Sequence, residues 1–498
     1  MSNDFTKHAA TLIAGRGIGF LIAVLTPMVV VRVFNKHDYG EYRQLVLVMT
    51  TFMPFLSIGM EKSLYYFFPH SPENKSVYLS RTVSFYLITG LVFVGMLYYN
   101  RYFLAEYFSN QHFITYALPL GLATLAMAFS LIIEVVLIVE RQTRQASIIL
   151  VLTKISHGAF IIVGALLGGV LYALYAIILY LGIKCLASIW YFYRKYRISI
   201  LSFSSLDLSR QMKYAIPLGL GGAIGVLSFA VDKFIVSYML GTENFAVYSI
   251  GCYELPFIYI FFQSIGDVIL PKMVEMKKQR NYGEIVRIWH AAIEKSSLLG
   301  VPAFLFFFYF ADLIIPTVFT VKYIAAVPVF RIMLVAILLE STRCGVIPRV
   351  FARTGWILLI TVIFSTLMIP TTYYMVKQFG MVGAISSLIG IMSLKVTCDI
   401  ILSARILSLS IGNVMPYRRL LTVVICSLLS MTPLILTDML IGEINPWVLM
   451  VAYTLTFLGI FCFMSYRFRL WKAEDVLQFA IIEKLLRSMK LVPRKSGL

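Results

Sequence analysis

Residues 213–257 read KYAIPLGLGGAIGVLSFAVDKFIVSYMLGTENFAVYSIGCYELPF, two apolar runs separated by a short polar break. The stretch is echoed earlier in the same chain. At an offset of 206 residues Gly15, Ile18, Gly19 and Tyr42 match Gly221, Ile224, Gly225 and Tyr248, and one residue of slip superposes Ser57-Ile58-Gly59 on Ser264-Ile265-Gly266. A half-length echo of apolar runs predicts two halves of one membrane protein. Duplicated helical bundles of this kind build carriers that open alternately to the two sides of a membrane.

Composition supports the membrane reading: 498 residues, 60% apolar, 13% charged, mean hydropathy +0.85. A helix needs about 20 apolar residues to cross a hydrocarbon core of about 30 Å. Such runs begin near Ala10, Gln44, Arg81, Phe113, Ser147, Tyr172, Tyr214, Ala246, Ala291, Ala325, Gly355, Met381, Leu420 and Pro446, which gives fourteen. Their continuous apolarity lacks the alternation of a barrel strand, so the expected fold is all-α and integral to the membrane. The 43 Lys and Arg gather in alternate loops, which places both termini in the cytoplasm. The net charge of +19 is dispersed over short segments, and a nucleic-acid partner is not indicated.

Other classes are disfavoured by what the loops contain. The amino terminus runs from MSNDFTKH into a full-length apolar helix without a small-residue cleavage site, so the first helix is expected to stay. Cys185, Cys252, Cys344, Cys398, Cys426 and Cys462 fall in apolar runs without CxxC spacing, indicating neither a disulfide framework nor a metal site. His8, His37, His70, His112, His157 and His290 include no i, i+4 pair. The outer loops are about a dozen residues or shorter, less than polyprenol-dependent glycosyltransferases usually use, and no catalytic residues are assigned. Without a GxxxxGK[ST] loop or a nucleotide-holding domain, no cofactor is expected. The driving force is then a gradient, of protons or sodium, or mass action.

Function is sought in charges within the membrane, where each is costly unless paired or wet. Lys233 and Arg331 lie about 10 Å below the outer ends of their helices and Glu254 about 12 Å, at 1.5 Å of rise per residue. With Asp232 they form either an outer-half polar cluster or, for Lys233 and Glu254, a structural ion pair. Toward the cytoplasm Arg16 and Lys154 lie about 10 Å in. Arg16 sits in GRGIG, where small neighbours allow close approach by a helix or ligand, although its side chain is long enough to snorkel. Lys395 has Asp399 at i+4, and Arg343 has Glu340 at i−3. Glu61, Glu134 and Asp267 near inner helix ends either accept a coupling ion or are solvated. Pro27, Pro217, Pro256, Pro302, Pro328, Pro348 and Pro370 bend or open membrane helices.

KYAIPLGLGG followed by DKFIVSYMLGTENFAVYSIGCYELP resembles the seventh and eighth helices of bacterial oligosaccharide (O-antigen type) flippases of the multidrug/oligosaccharidyl-lipid/polysaccharide exporter superfamily. The matching elements are Pro217 with its glycines, Asp232-Lys233-Phe234, Leu240-Gly241 and Tyr248-Ser249, with RVFNKHDYGEY similar to the turn after the first helix. The resemblance implies two pseudo-symmetric six-helix lobes around a central cavity, residues 1–193 and 214–412. A cytoplasmic segment, 194–213, joins them; a helix pair, 413–466, and a cytoplasmic amphipathic tail, 467–498, follow. In that tail Val476, Leu477, Ala480, Leu485 and Leu486 share a face opposite Lys484, Arg487 and Lys490, as an interfacial helix does.

The cargo so implied is a polyprenyl-diphosphate-linked oligosaccharide, moved across the bacterial cytoplasmic (inner) membrane by alternating access. Arg16, Lys154, Lys233, Arg331 and Lys395 would provide the cationic cavity, and Asp232, Glu254, Glu61 and Asp267 the charge partners or coupling groups. Flippases of the cell-wall lipid precursor carry several arginines in the first lobe, whereas here Arg16 and Arg32 stand out, which favours surface polysaccharide units (O-antigen, capsule, exopolysaccharide). The alternatives are a gradient-driven multidrug exporter, a peptidoglycan-precursor flippase, and a membrane scaffold for a polysaccharide polymerase and glycosyltransferases.

Overall fold

The computed structural model describes residues 19, 22, 24–199, 208–342, 345–440, 444–468 and 470. Arg16, Arg343 and the tail from 471 onward lie outside the described residues. The described chain is helical throughout, with no strand among the described residues. Its helices are α1 (Val24–Val33), α2 (Lys36–Ser57), α3 (Met60–His70), α4 (Lys75–Tyr99), α5 (Arg101–Tyr107), α6 (Phe113–Phe129), α7 (Leu131–Val139), α8 (Thr143–Tyr196), α9 (Leu208–Ser228) and α10 (Val231–Gly251). There follow α11 (Pro256–Lys278), α12 (Tyr282–Tyr309), α13 (Ala311–Phe319), α14 (Val327–Met333), α15 (Val335–Ser341), α16 (Val346–Val350), α17 (Thr354–Leu407), α18 (Tyr417–Leu440) and α19 (Pro446–Arg467).

Eleven helical stretches are long and apolar enough to cross a bilayer. Two of them, within α8 and α17, come from helices of 54 residues each, which would reach about 80 Å if straight. Each folds back on itself at glycine. Gly169 (φ 75°, ψ −151°) and Gly380 (φ 58°, ψ −137°) adopt backbone angles that a Cβ disfavours. The arms then meet closely: a Cβ on Gly164 would stand 2.6 Å from the Ala173 Cα, and one on Gly383 2.0 Å from the Met375 carbonyl oxygen. The number fourteen is not fixed by these helices, since most of the first apolar run lies outside the described residues.

The chain packs as two compact units. The first comprises residues up to Tyr253 and Ile363–Leu388. Tyr78, Tyr86, Phe113, Phe245 and Tyr248 are fully buried in it. Grouping by packing puts α9 and α10 with the helices that precede the 194–213 segment, because glycines bring the backbones together. A Cβ on Gly40 would meet the Thr242 carbonyl oxygen at 2.2 Å, and one on Gly219 the Ile58 carbonyl carbon at 2.0 Å. Lys36 starts α2 eight residues before the expected Gln44: the Asn35 side chain caps it, accepting from the Asp38 N–H at 2.8 Å and donating to the Asp38 carboxylate at 2.8 Å.

The second unit comprises Glu254–Val362 and Ile389 onward. Its core gathers Met273, Ile285, Trp289, Ile293 and Ile347, and α19 stacks aromatics on α12, with Phe457 5.2 Å from Phe306. Both units expose many large apolar side chains, among them Leu91, Leu166, Leu167, Leu186, Val268 and Leu440. That is the surface lipid would cover. Pro217, Pro302 and Pro370 sit inside continuous helices, and Pro256 and Pro328 at helix starts. Four breaks of the first unit fall instead at glycine or beside it, at Ile58–Gly59, Gly168–Gly169, Gly241 and Gly380. Ser264-Ile265-Gly266, the repeat partner of the first of these, continues α11 unbroken.

Candidate functional site

Because α2 starts at Lys36, side chains that would otherwise belong to a loop enter the first unit. Glu41 is 1% exposed. His112 Nδ1 lies 2.7 Å from its Oε1 and the Tyr116 hydroxyl donates to its Oε2 at 2.9 Å, while His37 Nδ1 stands 3.6 Å away. His37, Asp38 and Glu41 hold their ligand atoms within 4.8 Å of one another, a spacing that admits a cation. Both carboxylates already have partners within the protein, Asp38 in Asn35 and Glu41 in His112 and Tyr116. One turn deeper, fully buried Gln44 donates to Ser237 Oγ at 2.9 Å and Thr242 Oγ1 at 3.3 Å and accepts from Asn110 at 3.2 Å. This amide ties α2 to α10 and to the turn before α6.

On α10, Asp232 is completely buried. It accepts a 2.6 Å hydrogen bond from the Tyr248 hydroxyl across the kink at Gly241, and its other oxygen faces Lys233 Nζ at 3.6 Å. Lys233 also donates to the Phe229 carbonyl at 3.0 Å. Arg43 belongs to the same neighbourhood: its charge, with those of Lys233 and Asp232, acts on the Cys252 thiol, and it also acts on Tyr39, Tyr42 and Tyr253. The Arg43 Nε is buried without a hydrogen-bond partner.

Elsewhere in this unit the expected residues separate. Lys154 is exposed on α8, its stem beside Gly19, and no hydrogen bond or ion pair to it occurs among the described residues. Glu61, 6% exposed, accepts from Tyr86 at 2.9 Å. Glu134 is taken by Lys184 at 3.0 Å, an ion pair within the apolar spans. Just beyond α7, Glu140 is clasped by Lys75 at 2.6 Å and Lys195 at 3.3 Å. Burial pushes its carboxyl up, but the hydrogen bonds and charges of the two lysines outweigh burial and hold it below the usual carboxylate range.

In the second unit Arg331 pairs with Asp312, donates from Nε to the Phe308 carbonyl at 3.0 Å and lies over the Phe308 ring. Lys395 is half-buried, and its charge, with that of Arg349, acts on Asp399, whose Oδ1 is buried without a hydrogen-bond partner. Glu254, in the non-helical stretch before α11, and Asp267 on α11 are exposed. A cavity of about 680 Å³ opens between α12 and the loop before α18, lined by His290, Asn413, Tyr417, Arg418 and Arg419.

A family model described as polysaccharide biosynthesis protein matches residues 29–328. The chain belongs to that family. This polysaccharide biosynthesis protein is 23% identical over 315 residues to the capsular polysaccharide biosynthesis protein CapF of Staphylococcus aureus, covering 61% of this chain and 74% of the relative. Its fold is that of the exporter superfamily named above. It superposes on the lipid II flippase MurJ, inward closed, with a TM-score of 0.72 at 14% identity, over 93% of this chain and 98% of that one. It also superposes on an inward-facing multidrug resistance MATE transporter, with a TM-score of 0.63 at 14% identity over 80% and 98%. A superfamily transporter from Pyrococcus furiosus gives 0.59 at 14% identity over 81% and 95%. The family match covers both the Glu41 knot and the Arg43–Lys233–Asp232 group. Sequence reading passed over Glu41, Arg43 and His112 because an apolar window cannot see them; the signal was Asn35 followed by Asp38, the cap of α2.

Proposed function

We propose that this membrane transporter of the polysaccharide biosynthesis family flips polyprenyl-diphosphate-linked oligosaccharide units across the bacterial cytoplasmic membrane, for assembly of a surface polysaccharide such as capsule, O-antigen or exopolysaccharide. The observation that carries the reading is the family match over residues 29–328 on a chain with the fold of superfamily transporters. CapF, named for capsule biosynthesis, supports surface glycan over wall precursor.

On this reading both termini are cytoplasmic and the lobes are residues 1–193 and 214–412. Arg16 and Lys154 meet the anionic headgroup on the cytoplasmic side; Lys233, Arg331 and Lys395 act later in its passage, with Asp232, Glu254, Glu61 and Asp267 as charge partners or coupling groups. Cations suit this cargo because a diphosphate must shed water on leaving one headgroup region, and charge-assisted hydrogen bonds replace that water. The lipid tail stays in the bilayer. A proton or sodium gradient supplies direction, and a polymerase and glycosyltransferases act on either side of the step.

The test is the leaflet distribution of the lipid-linked oligosaccharide after depletion of the protein, with drug susceptibility followed in the same cells. Accumulation in the cytoplasmic leaflet with loss of surface glycan supports the proposal. Normal distribution with raised sensitivity to cationic drugs replaces it with multidrug export, and cytoplasmic accumulation of the peptidoglycan precursor replaces it with wall-precursor flipping.

A further inference from the structure

We propose that His37, Asp38, Glu41 and His112 form a divalent cation site of the zinc class at the start of α2, a site that stands whatever cargo the protein moves. Glu41 is 1% exposed, and among the described residues its only ion-pair partners are His37 and His112, which carry charge only when protonated. A buried carboxylate is costly without a positive partner, and neutral imidazoles supply none. Two carboxylates and two imidazoles around one point are a donor set that zinc and its first-row neighbours favour, whereas magnesium and calcium take oxygen ligands. With Asp38 and Glu41 ionised, a divalent ion makes a site of no net charge. The start of α2 carries about half a positive charge, which the two carboxylates outweigh. Lys36, next to His37, pairs with Glu243 at 3.9 Å.

The spacing suits such an ion. Two ligands of a four-coordinate zinc, bonded at about 2.0–2.2 Å, stand about 3.4 Å apart. His37 Nδ1, one turn before Glu41 on α2, stands 3.6 Å from Glu41 Oε1, and the ligand atoms of His37, Asp38 and Glu41 all lie within 4.8 Å of one another. His112 Nδ1 lies 2.7 Å from the same Oε1, so its ring draws back by about 0.7 Å to admit the ion. Its side chain is 63% exposed and has the room. An outer shell is already built, as at metal sites, where the ligating carboxylates are themselves hydrogen-bonded. Tyr116 donates to Glu41 Oε2 at 2.9 Å, Asn35 donates to Asp38 Oδ2 at 2.8 Å, and the Asn110 side chain accepts from the His112 N–H at 3.0 Å. The ion joins α2 to the turn before α6. On the topology proposed above both segments face outward, so the ion is drawn from the external solution.

The full chain, purified in detergent, freed of any affinity tag and stripped with chelator, is titrated with Zn²⁺ and, separately, with Co²⁺, Mg²⁺ and Ca²⁺. Wild type is expected to bind one Zn²⁺, and Co²⁺ in its place should give the intense visible absorption of a four-coordinate ion. His37→Ala and His112→Ala should each weaken Zn²⁺ binding about a hundredfold, and Tyr116→Phe, which removes only an outer-shell donor, about tenfold. His70→Gln, at the exposed end of α3, is the control and should bind as wild type does. Unchanged Zn²⁺ affinity in both alanine variants overturns the site. A wild type that takes up no Zn²⁺ overturns it too, and leaves the histidines as protonated partners of Glu41. Tighter binding of Mg²⁺ or Ca²⁺ than of Zn²⁺ overturns the zinc-class assignment. If an alanine variant fails to elute as a single species, the cobalt spectrum of wild type decides: weak, octahedral absorption overturns the four-ligand site.

Discussion

Gly40→Ala is the substitution whose effect is most directly calculable. The added Cβ would stand 2.2 Å from the Thr242 carbonyl oxygen, 2.7 Å from its Cγ2 and 2.9 Å from its carbonyl carbon. The obstructing atoms include main chain, so no rotamer change relieves the contact. Restoring ordinary separation moves α2 from α10 by about 1 Å, an overpacking strain of about 1 to 3 kcal/mol. The same displacement stretches the Gln44 hydrogen bonds to Ser237 and Thr242, now 2.9 and 3.3 Å, a further loss of about 1 kcal/mol. Alanine's better helix propensity returns about 1 kcal/mol, leaving a net destabilisation of about 2 kcal/mol. Gly95→Ala is the control: nothing lies within 4 Å of its Cβ, so only the favourable propensity change applies. The assay is equilibrium unfolding in mixed detergent and dodecyl sulfate micelles, followed by circular dichroism. Gly40→Ala as stable as wild type, with Gly95→Ala no more stable than either, would refute the close seating of α2 on α10.

Three further outcomes are expected. Glu134→Gln or Lys184→Gln alone should destabilise by about 2 kcal/mol, and the double variant should recover part of the loss, because the singles strand a half-buried charge within the apolar spans; a double-mutant cycle by the same unfolding assay measures the coupling. For Glu140 the carboxyl is depressed in the folded state, so its contribution is fully present above the unfolded value of about 4.3 and disappears as pH falls through the lower folded value. The stability difference between wild type and Glu140→Gln should be constant from pH 7 to about 5 and vanish in strong acid; a difference that grows on acidification would reverse the sign. Tyr248→Phe leaves buried Asp232 without its 2.6 Å donor and should cost about 1 to 3 kcal/mol, measurable as a lowered unfolding midpoint with unchanged secondary structure.

Much of the helical layout was legible because apolar length alone encodes it. Phe113 and Pro446 begin helices where the runs predict, and the reversals near Tyr172 and Met381 follow from runs too long for one crossing. The start of α2 was not, since polar KHDYGEYR is helical through a cap and buried partners. Charges were harder still. Their depth could be counted, but partners far along the chain could not: Glu134 meets Lys184 fifty residues on, and Glu41 meets His112 seventy-one residues on. Lys233 takes the residue beside it, Asp232, and Arg331 takes Asp312, which no i, i+4 rule points to.

The pairing of Lys184 with Glu134 and of Lys233 with Asp232 also decides how the protein responds to voltage. A transmembrane field does work on net charge, about 2.3 kcal/mol for one elementary charge carried through 100 mV. A cation and a carboxylate that travel together carry no net charge, so rearranging their helices transfers almost none across the field. Arg43 and Lys154 have no ion-pair partner among the described residues, so a displacement of either along the field does transfer charge.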